Sequence, residues 1–149
     1  MSPIQRVVCF ILATVLLYGC DALEYEDVST TKEYNYLVGK QYQSEEDLLA
    51  QVVTIENDLE QSPDKNNGKV PDYAVLARPP GIPELNTLFT EAVPSGSKIE
   101  ILRVERSEPT FFGQYVKYVV APLDFQITGN PVLRVHQEEL NNSFELIED

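Results

Sequence analysis

The sequence predicts a mostly β protein with one N-terminal α-helix, α+β overall, whose strands make a small five-stranded barrel. Three observations lead there. From Pro71 onward, short β-branched and aromatic runs alternate with proline and glycine, the pattern of several short strands. Between residues 44 and 60 the apolar side chains recur instead at helical spacing. The first twenty residues stand apart from both, being apolar with Arg6 as their only charge. This divides the chain into an export signal (residues 1–19), an acidic tether (20–33) and a single globular domain (34–149), with the helix over about 44–60 and the barrel over about 72–148. The 130 residues that follow the signal suffice for one buried core but not for two independent ones.

At the amino end, Arg6 precedes an apolar run from Val7 to Tyr18 that only Thr14 interrupts. A basic start followed by a short apolar stretch is the pattern of a secretory signal. The run falls short of the roughly 20 residues that a helix needs to cross the hydrocarbon core. From Asp21 to Glu33 the chain is polar and acidic, the composition of a tether. Fully extended at about 3.3 Å per residue, it would hold a domain on the order of 40 Å from its attachment point. Tyr34, Tyr36, Leu37 and Val38 then suggest a short strand or docking segment closed by Gly39.

Ser44-Glu45-Glu46-Asp47 reads as a helix start, with Ser44 at the N-cap, Asp47 completing a capping-box-like exchange and three acids at the positive end of the dipole. Leu48, Leu49, Val52, Val53, Ile55 and Leu59 would form its apolar face, opposite Gln51, Glu56, Asp58 and Glu60. Ser62-Pro63-Asp64 and Asn66-Asn67-Gly68 end it in an exposed loop. The strands expected next are Tyr73 to Ala77, Lys98 to Arg106, Gln114 to Ala121, Pro131 to Gln137 and Phe144 to Ile147. In the second, Ile99 and Ile101 set one phase and Leu102 and Val104 the other, so a bulge or bend is expected between them. In the third, Val116, Tyr118 and Val120 share the inward face.

Two resemblances bear on this layout. Leu17-Tyr18-Gly19-Cys20 resembles the lipobox of bacterial lipoproteins, with Leu17, Gly19 and Cys20 in place and Tyr18 where a small residue is usual. The resemblance implies cleavage between Gly19 and Cys20 and attachment of diacylglycerol and further acyl chains (palmitate among them) to Cys20. It also implies that Asp21, directly after the cysteine, favours retention in the inner membrane. With Cys9 in the discarded signal and Cys20 acylated, the mature chain would hold no thiol for a disulfide, a zinc site or a nucleophile. Five strands with a long proline-containing loop after the first resemble, over about residues 72–148, the layout of Src-homology-3 barrels. The chain has no tryptophan, and Tyr73-Ala74-Val75-Leu76-Ala77 stands where peptide-binding members carry an aromatic-acidic motif, so no binding residue transfers.

The chain carries 24 acidic and 11 basic side chains, a formal net charge of −13. Such a surface repels phosphate backbones and anionic headgroups and argues against nucleic acid as a ligand. It would speed capture of a basic protein partner. Local motifs add little. His136, the only histidine, falls on a strand face with Arg134 and Val132, as a surface residue. Ser95 and Lys98 match the spacing of penicillin-binding enzymes, but Pro94 and Gly96 make a turn where those need a helix. Asp64-Lys65-Asn66-Asn67-Gly68 opens like a calcium loop without a closing glutamate. Arg78-Pro79-Pro80-Gly81-Ile82-Pro83 is read as a structural loop, and Asn141-Asn142-Ser143 as a sequon of consequence only in a eukaryote. No cofactor or metal is expected. The expectation is a non-catalytic, lipid-anchored envelope protein on the periplasmic side that binds a protein partner, as an inhibitor or immunity factor. A peptidoglycan-binding or structural lipoprotein, or an envelope hydrolase using a carboxylate pair, are the alternatives.

Overall fold

The computed structural model describes residues 24–53, 73–83 and 87–148. The elements run β1 (Tyr25–Asp27), β2 (Gln41–Ser44), β3 (Leu48–Val53), β4 (Tyr73–Ala77), β5 (Thr87–Val93), β6 (Lys98–Ser107), β7 (Val116–Pro122), β8 (Val132–His136), α1 (Gln137–Ser143) and β9 (Phe144–Leu146). All strands join one nine-stranded mixed sheet in the order β5-β3-β4-β8-β7-β6-β2-β9, with β1 also on β6. Every pairing is antiparallel except β4 with β8. The sheet is not closed, since β5 and β9 end the order without pairing each other.

This overturns the five-stranded Src-homology-3-like barrel. The five expected strands are present, but β1, β2, β3 and β5 add to them and the path stays open. The N-terminal helix is overturned as well. Where it was to begin lie β2, a bend and β3, and residues 54–60 fall outside the described residues. The cause is burial on both faces. Leu48, Ala50 and Val52 enter the main core, while Gln51 and Val53 on the opposite face are buried too. A strand covered on both sides loses its alternation and becomes indistinguishable from a helix by spacing. The single described helix is instead α1, seven residues long, between β8 and β9.

Among the described residues no helical layer covers the sheet, and its strands supply one another's apolar cover. Leu48, Ala50, Val52, Ala74, Leu76, Val93, Ile99, Ile101, Val104, Tyr118, Val120, Leu133 and Val135, drawn from six strands, form one cluster that Leu140 of α1 and Phe144 of β9 complete. Val116, Tyr118 and Val120 point inward together, as alternation requires. The phase slip in β6 is a register shift between Ile101 and Arg103. It leaves Val104 buried and turns Leu102 out, 49% exposed, so Leu102 is the extra residue of the bulge and not a core member.

Two further expectations change. Residues 34–39 form turns and not a strand, with Tyr34 buried against the core and Gly39 at φ 84. The stretch read as a tether is not all spacer, because Tyr25, Glu26 and Asp27 pair with Ser107, Arg106 and Glu105 and Val28 is buried.

The loop at Arg78–Pro83 is structural in a specific way. Gln51 is 5% exposed; its Oε1 accepts from Ile82 N at 2.6 Å and its Nε2 donates to Ile82 O at 3.1 Å. One side chain thus satisfies both backbone polar groups of a residue that lies outside the strands. Gly81 lies at φ +93, and a Cβ there would stand 2.8 Å from the Gln51 amide. Gln51→Ala should cost about 1–3 kcal/mol, the penalty of leaving buried backbone groups unpaired. Gly81→Ala should cost about as much through backbone strain and the clash. Urea unfolding of both variants and of the double mutant checks this, and the double mutant should lose less than the sum, since the two act on one contact.

Candidate functional site

Alternation that sends apolar side chains inward on β6, β7 and β8 sends Arg103, Glu105, Lys117, Arg134 and His136 outward. The register sets them side by side: Glu105 opposite Lys117, Lys117 opposite His136, and Val119 flanked by Arg103 and Arg134. Three permanent cations and one carboxylate therefore share one face of a chain whose net charge is −13. Glu105 is the hub. Its Oε1 lies 2.7 Å from Arg103 Nη2 and accepts from Arg103 Nε at 3.0 Å, and its Oε2 stands 3.7 Å from Lys117 Nζ.

β1 makes this polar face a recess. Lys117 Nζ sits 3.5 Å from the centroid of the Tyr25 ring, and the Arg134 guanidinium lies 4.6 Å from that of Tyr73. Cation–π contacts of this kind contribute about 0.5–2 kcal/mol depending on desolvation. Around Lys117 opens a cleft of about 400 Å³, lined by Tyr25, Gln114, Tyr115, Val116, Lys117, His136, Gln137 and Glu138. Arg134 Nε is buried without a hydrogen-bond partner among the described residues.

Desolvation governs titration here. Burial pushes the Lys117 ammonium below its ordinary range, with the neighbouring Arg134 charge adding to the shift and Glu105 opposing it. His136 keeps an open edge to solvent, yet burial among the cleft atoms and the Lys117 charge hold its imidazole below 6.5, against the pull of Glu139. Burial likewise raises the Tyr25 phenol, with Tyr115 and Glu105 adding to it. The cleft therefore presents the Lys117 amine, the His136 imidazole, two phenols, two amides and the Glu138 carboxylate, all groups that hydrogen-bond or stack.

A second cluster lies at the opposite side of α1. Glu46 and Glu139 converge on Ser143 Oγ, which donates to Glu46 Oε1 at 2.8 Å and also contacts Glu139 Oε1. One hydroxyl hydrogen serves one carboxylate at a time. Arg78 Nε, 3.0 Å from Glu139 and 3.9 Å from Glu46, supplies the remaining charge. This carboxylate pair is thus held by a cation and a buried serine, in a clamp between α1, the β2–β3 bend and the end of β4.

Cys20, Gly19 and Asp21 lie outside the described residues, as does the Asp64–Gly68 segment. Ser95 and Lys98 do not meet as a catalytic pair: Ser95 N donates to Asp47 Oδ1 in a turn, and Lys98 opens β6 with its own N–H on Asp124 Oδ1. Among the described residues no group of three or more His, Cys, Asp or Glu could hold a metal ion. Sequence reasoning placed His136 on the strand face it occupies but missed Tyr25, Lys117 and Tyr115. Their signal was the row of charges at alternate positions opposite the apolar ones; what could not be read was that β1 folds back over them. Comparison with protein-family models, curated proteins and solved structures finds no match.

The His136 shift gives a pH dependence of known sign. A folded-state pKa below the unfolded 6.5 means that the unfolded chain binds more protons as pH falls through that value, so stability is lost downward from there. Denaturant midpoints followed between about pH 7 and pH 5 should fall, and His136→Gln should flatten that part of the curve while leaving lower-pH losses from carboxylates in place.

Proposed function

We propose that this chain is a lipid-anchored protein of a bacterial cell envelope, held through acylated Cys20 on the periplasmic side of the inner membrane, that binds a protein partner at the Tyr25–Lys117–His136 cleft. The observation that carries the binding reading is the state of Lys117. Its ammonium is fixed on a tyrosine ring and its side chain largely withdrawn from water beside a cleft rich in hydrogen-bonding side chains. A partner carboxylate or backbone carbonyl docking there meets a donor whose desolvation and ordering have already been met by the fold. The lipobox-like Leu17-Tyr18-Gly19-Cys20 and Asp21 support the anchor and the inner membrane.

Charge gives the partner its character. The surplus of acids outside this face attracts a basic protein over a distance of about one Debye length, roughly 8–10 Å, and orients its approach. The cleft then reads the partner by short contacts. Steering and recognition are separate steps carried by separate residues, an arrangement suited to an inhibitor or immunity factor that must capture a basic target quickly.

Intact mass after detergent extraction of bacterial membranes tests the anchor. The expected species lacks residues 1–19 and carries acyl chains, and Cys20→Ser should abolish both changes. Asp21→Ser should move the protein from inner-membrane to outer-membrane fractions on a density gradient. For binding, the anchored chain should recover one stoichiometric basic protein from solubilised envelope, and Lys117→Ala with Tyr115→Ala should weaken that recovery tenfold or more, about 1.4 kcal/mol. Recovery that is unchanged by the double substitution would remove the cleft from the interface.

A further inference from the structure

Between β6 and β7 the chain projects a short finger with two phenylalanines at its tip. Phe111 is 97% exposed and Phe112 85%. Their rings meet edge to face, with centroids 5.3 Å apart. The turn that carries them is tightly tied: Thr110 N donates to Gly113 O at 2.9 Å, Gly113 N to Thr110 O at 3.1 Å, and Thr110 Oγ1 to Gly113 O at 2.6 Å. Ser107, 1% exposed, roots the finger by donating from its N to Tyr115 O and accepting from Tyr115 N on its hydroxyl, both at 2.8 Å. An adjacent aromatic pair held rigidly in water serves no packing purpose within the domain. It is built to meet an apolar phase.

The path of the amino-terminal flank says which one. β1 runs antiparallel to β6, with Asp27 opposite Glu105 and Tyr25 opposite Ser107, and Glu24 O then accepts from Glu108 N at 3.0 Å. Followed back toward the amino terminus, β1 therefore runs in the direction in which β6 enters the finger, and the described chain reaches Glu24 at the finger's root. Only three residues lie between Cys20 and Glu24, and the four steps along the chain bound their separation at about 14 Å when fully extended. The finger tip lies three residues beyond Glu108, a reach of about 10 Å.

We infer that Phe111 and Phe112 insert into the lipid bilayer beside the acyl chains on Cys20, making a second membrane contact that fixes the orientation of the domain. This rests on the lipid-anchor reading. Aromatic rings favour the membrane interface, and stable attachment commonly takes two weak signals in place of one. Glu24, Glu26 and Glu108 are exposed around the root and are repelled by anionic headgroups, so penetration stops at the tip and the finger does not hold the membrane unaided. Gln114 and Tyr115 follow the tip directly and line the cleft. The insertion therefore places the cleft at the membrane surface, opening sideways, and its partner is taken there.

The chain has no tryptophan, so a single one reports position without background. Phe112→Trp would be placed at the tip, and Phe89→Trp, on β5 at the far end of the sheet path, serves as control. The chain from Cys20 onward contains every described residue and a single thiol. Coupling that thiol to maleimide-headgroup lipid in phosphatidylethanolamine–phosphatidylglycerol vesicles supplies the anchor chemically, whether or not a cell acylates it. The expected result is a shift of Phe112→Trp emission to shorter wavelength on coupling, with quenching by shallowly brominated acyl chains, while Phe89→Trp changes in neither respect. Phe112→Trp emission that stays at its aqueous wavelength and is unquenched in the coupled protein overturns the insertion. Failure of the anchor itself shows separately, as an unacylated mass from cells.

Discussion

The fold depends on one corner. At Ser44 to Asp47 and again at Pro94 to Ser97, two neighbouring stretches of chain turn together, so that the β2–β6 ladder continues around the bend as the β3–β5 ladder. Ser44 N donates to Ser97 O at 2.9 Å, Gly96 N to Ser44 O at 2.8 Å, and Ser97 N to Ser44 Oγ at 3.1 Å. Ser97 Oγ donates to Pro94 O at 2.6 Å, Ser95 N to Asp47 Oδ1 at 2.8 Å, and Glu45 N to Ser143 O at 2.9 Å, which brings α1 into the same knot. Both serines are buried. A sheet with no helical layer must cover its apolar face with itself, and a flat one would leave that face in water. Folding the ribbon here lets β3 and β5 close over the core that β6, β7 and β8 floor. Backbone groups turned out of register at the bend are thus paired by side chains, the Ser44 hydroxyl in a buried contact with Ser97 N and the Asp47 carboxylate in an exposed one with Ser95 N.

The same residues explain where sequence reasoning went astray. Ser44 and Asp47 were read as helix-capping side chains, and they do accept backbone N–H bonds as caps do, from Ser97 and Ser95 on a facing turn fifty residues away. Local chemistry was legible; its partner was not, because nothing in a cap motif says whether the donors lie three residues on or across a sheet. Leu48 to Val53 lost its alternation for a related reason, since Gln51 and Val53 are buried by contacts distant in sequence. Val116, Tyr118 and Val120 were legible as one inward face from their alternation, although Val119 on the other face is buried too. The Leu102 bulge was visible as a slip in phase, while the choice of Leu102 as the ejected member was made by the β7 register.

The candidate site was hidden by composition. A tract with the acids of residues 21–33 looks like solvated spacer, yet its few apolar members decide its fate. Val28 is buried and Tyr25 packs on Lys117. Glu26 and Glu33 hold Arg106, at 3.0 and 3.6 Å. Exposed pairs of this kind contribute at most about 1 kcal/mol each. The buried Val28 and the ring-covered lysine therefore do more to seat β1 than the charges that made it look like a tether.

Seating β1 couples two properties that the chain could have kept apart. β1, whose Tyr25 covers Lys117 and lines the cleft, also brings Glu24 to the root of the Phe111–Phe112 finger. A tether reaching to Glu33 would have let the domain tumble at the end of a long arm, with the cleft facing any direction. With the sheet beginning at Tyr25, four residues lie between Cys20 and the first strand, and on the proposed anchor orientation becomes a property of strand pairing. With Cys20 anchored as proposed, a domain confined this close to its attachment point would lose translational freedom once, at anchoring. On that proposal, a partner in the same membrane would dock with less left to lose, and effective concentration would take over part of what a small cleft cannot supply by contact area.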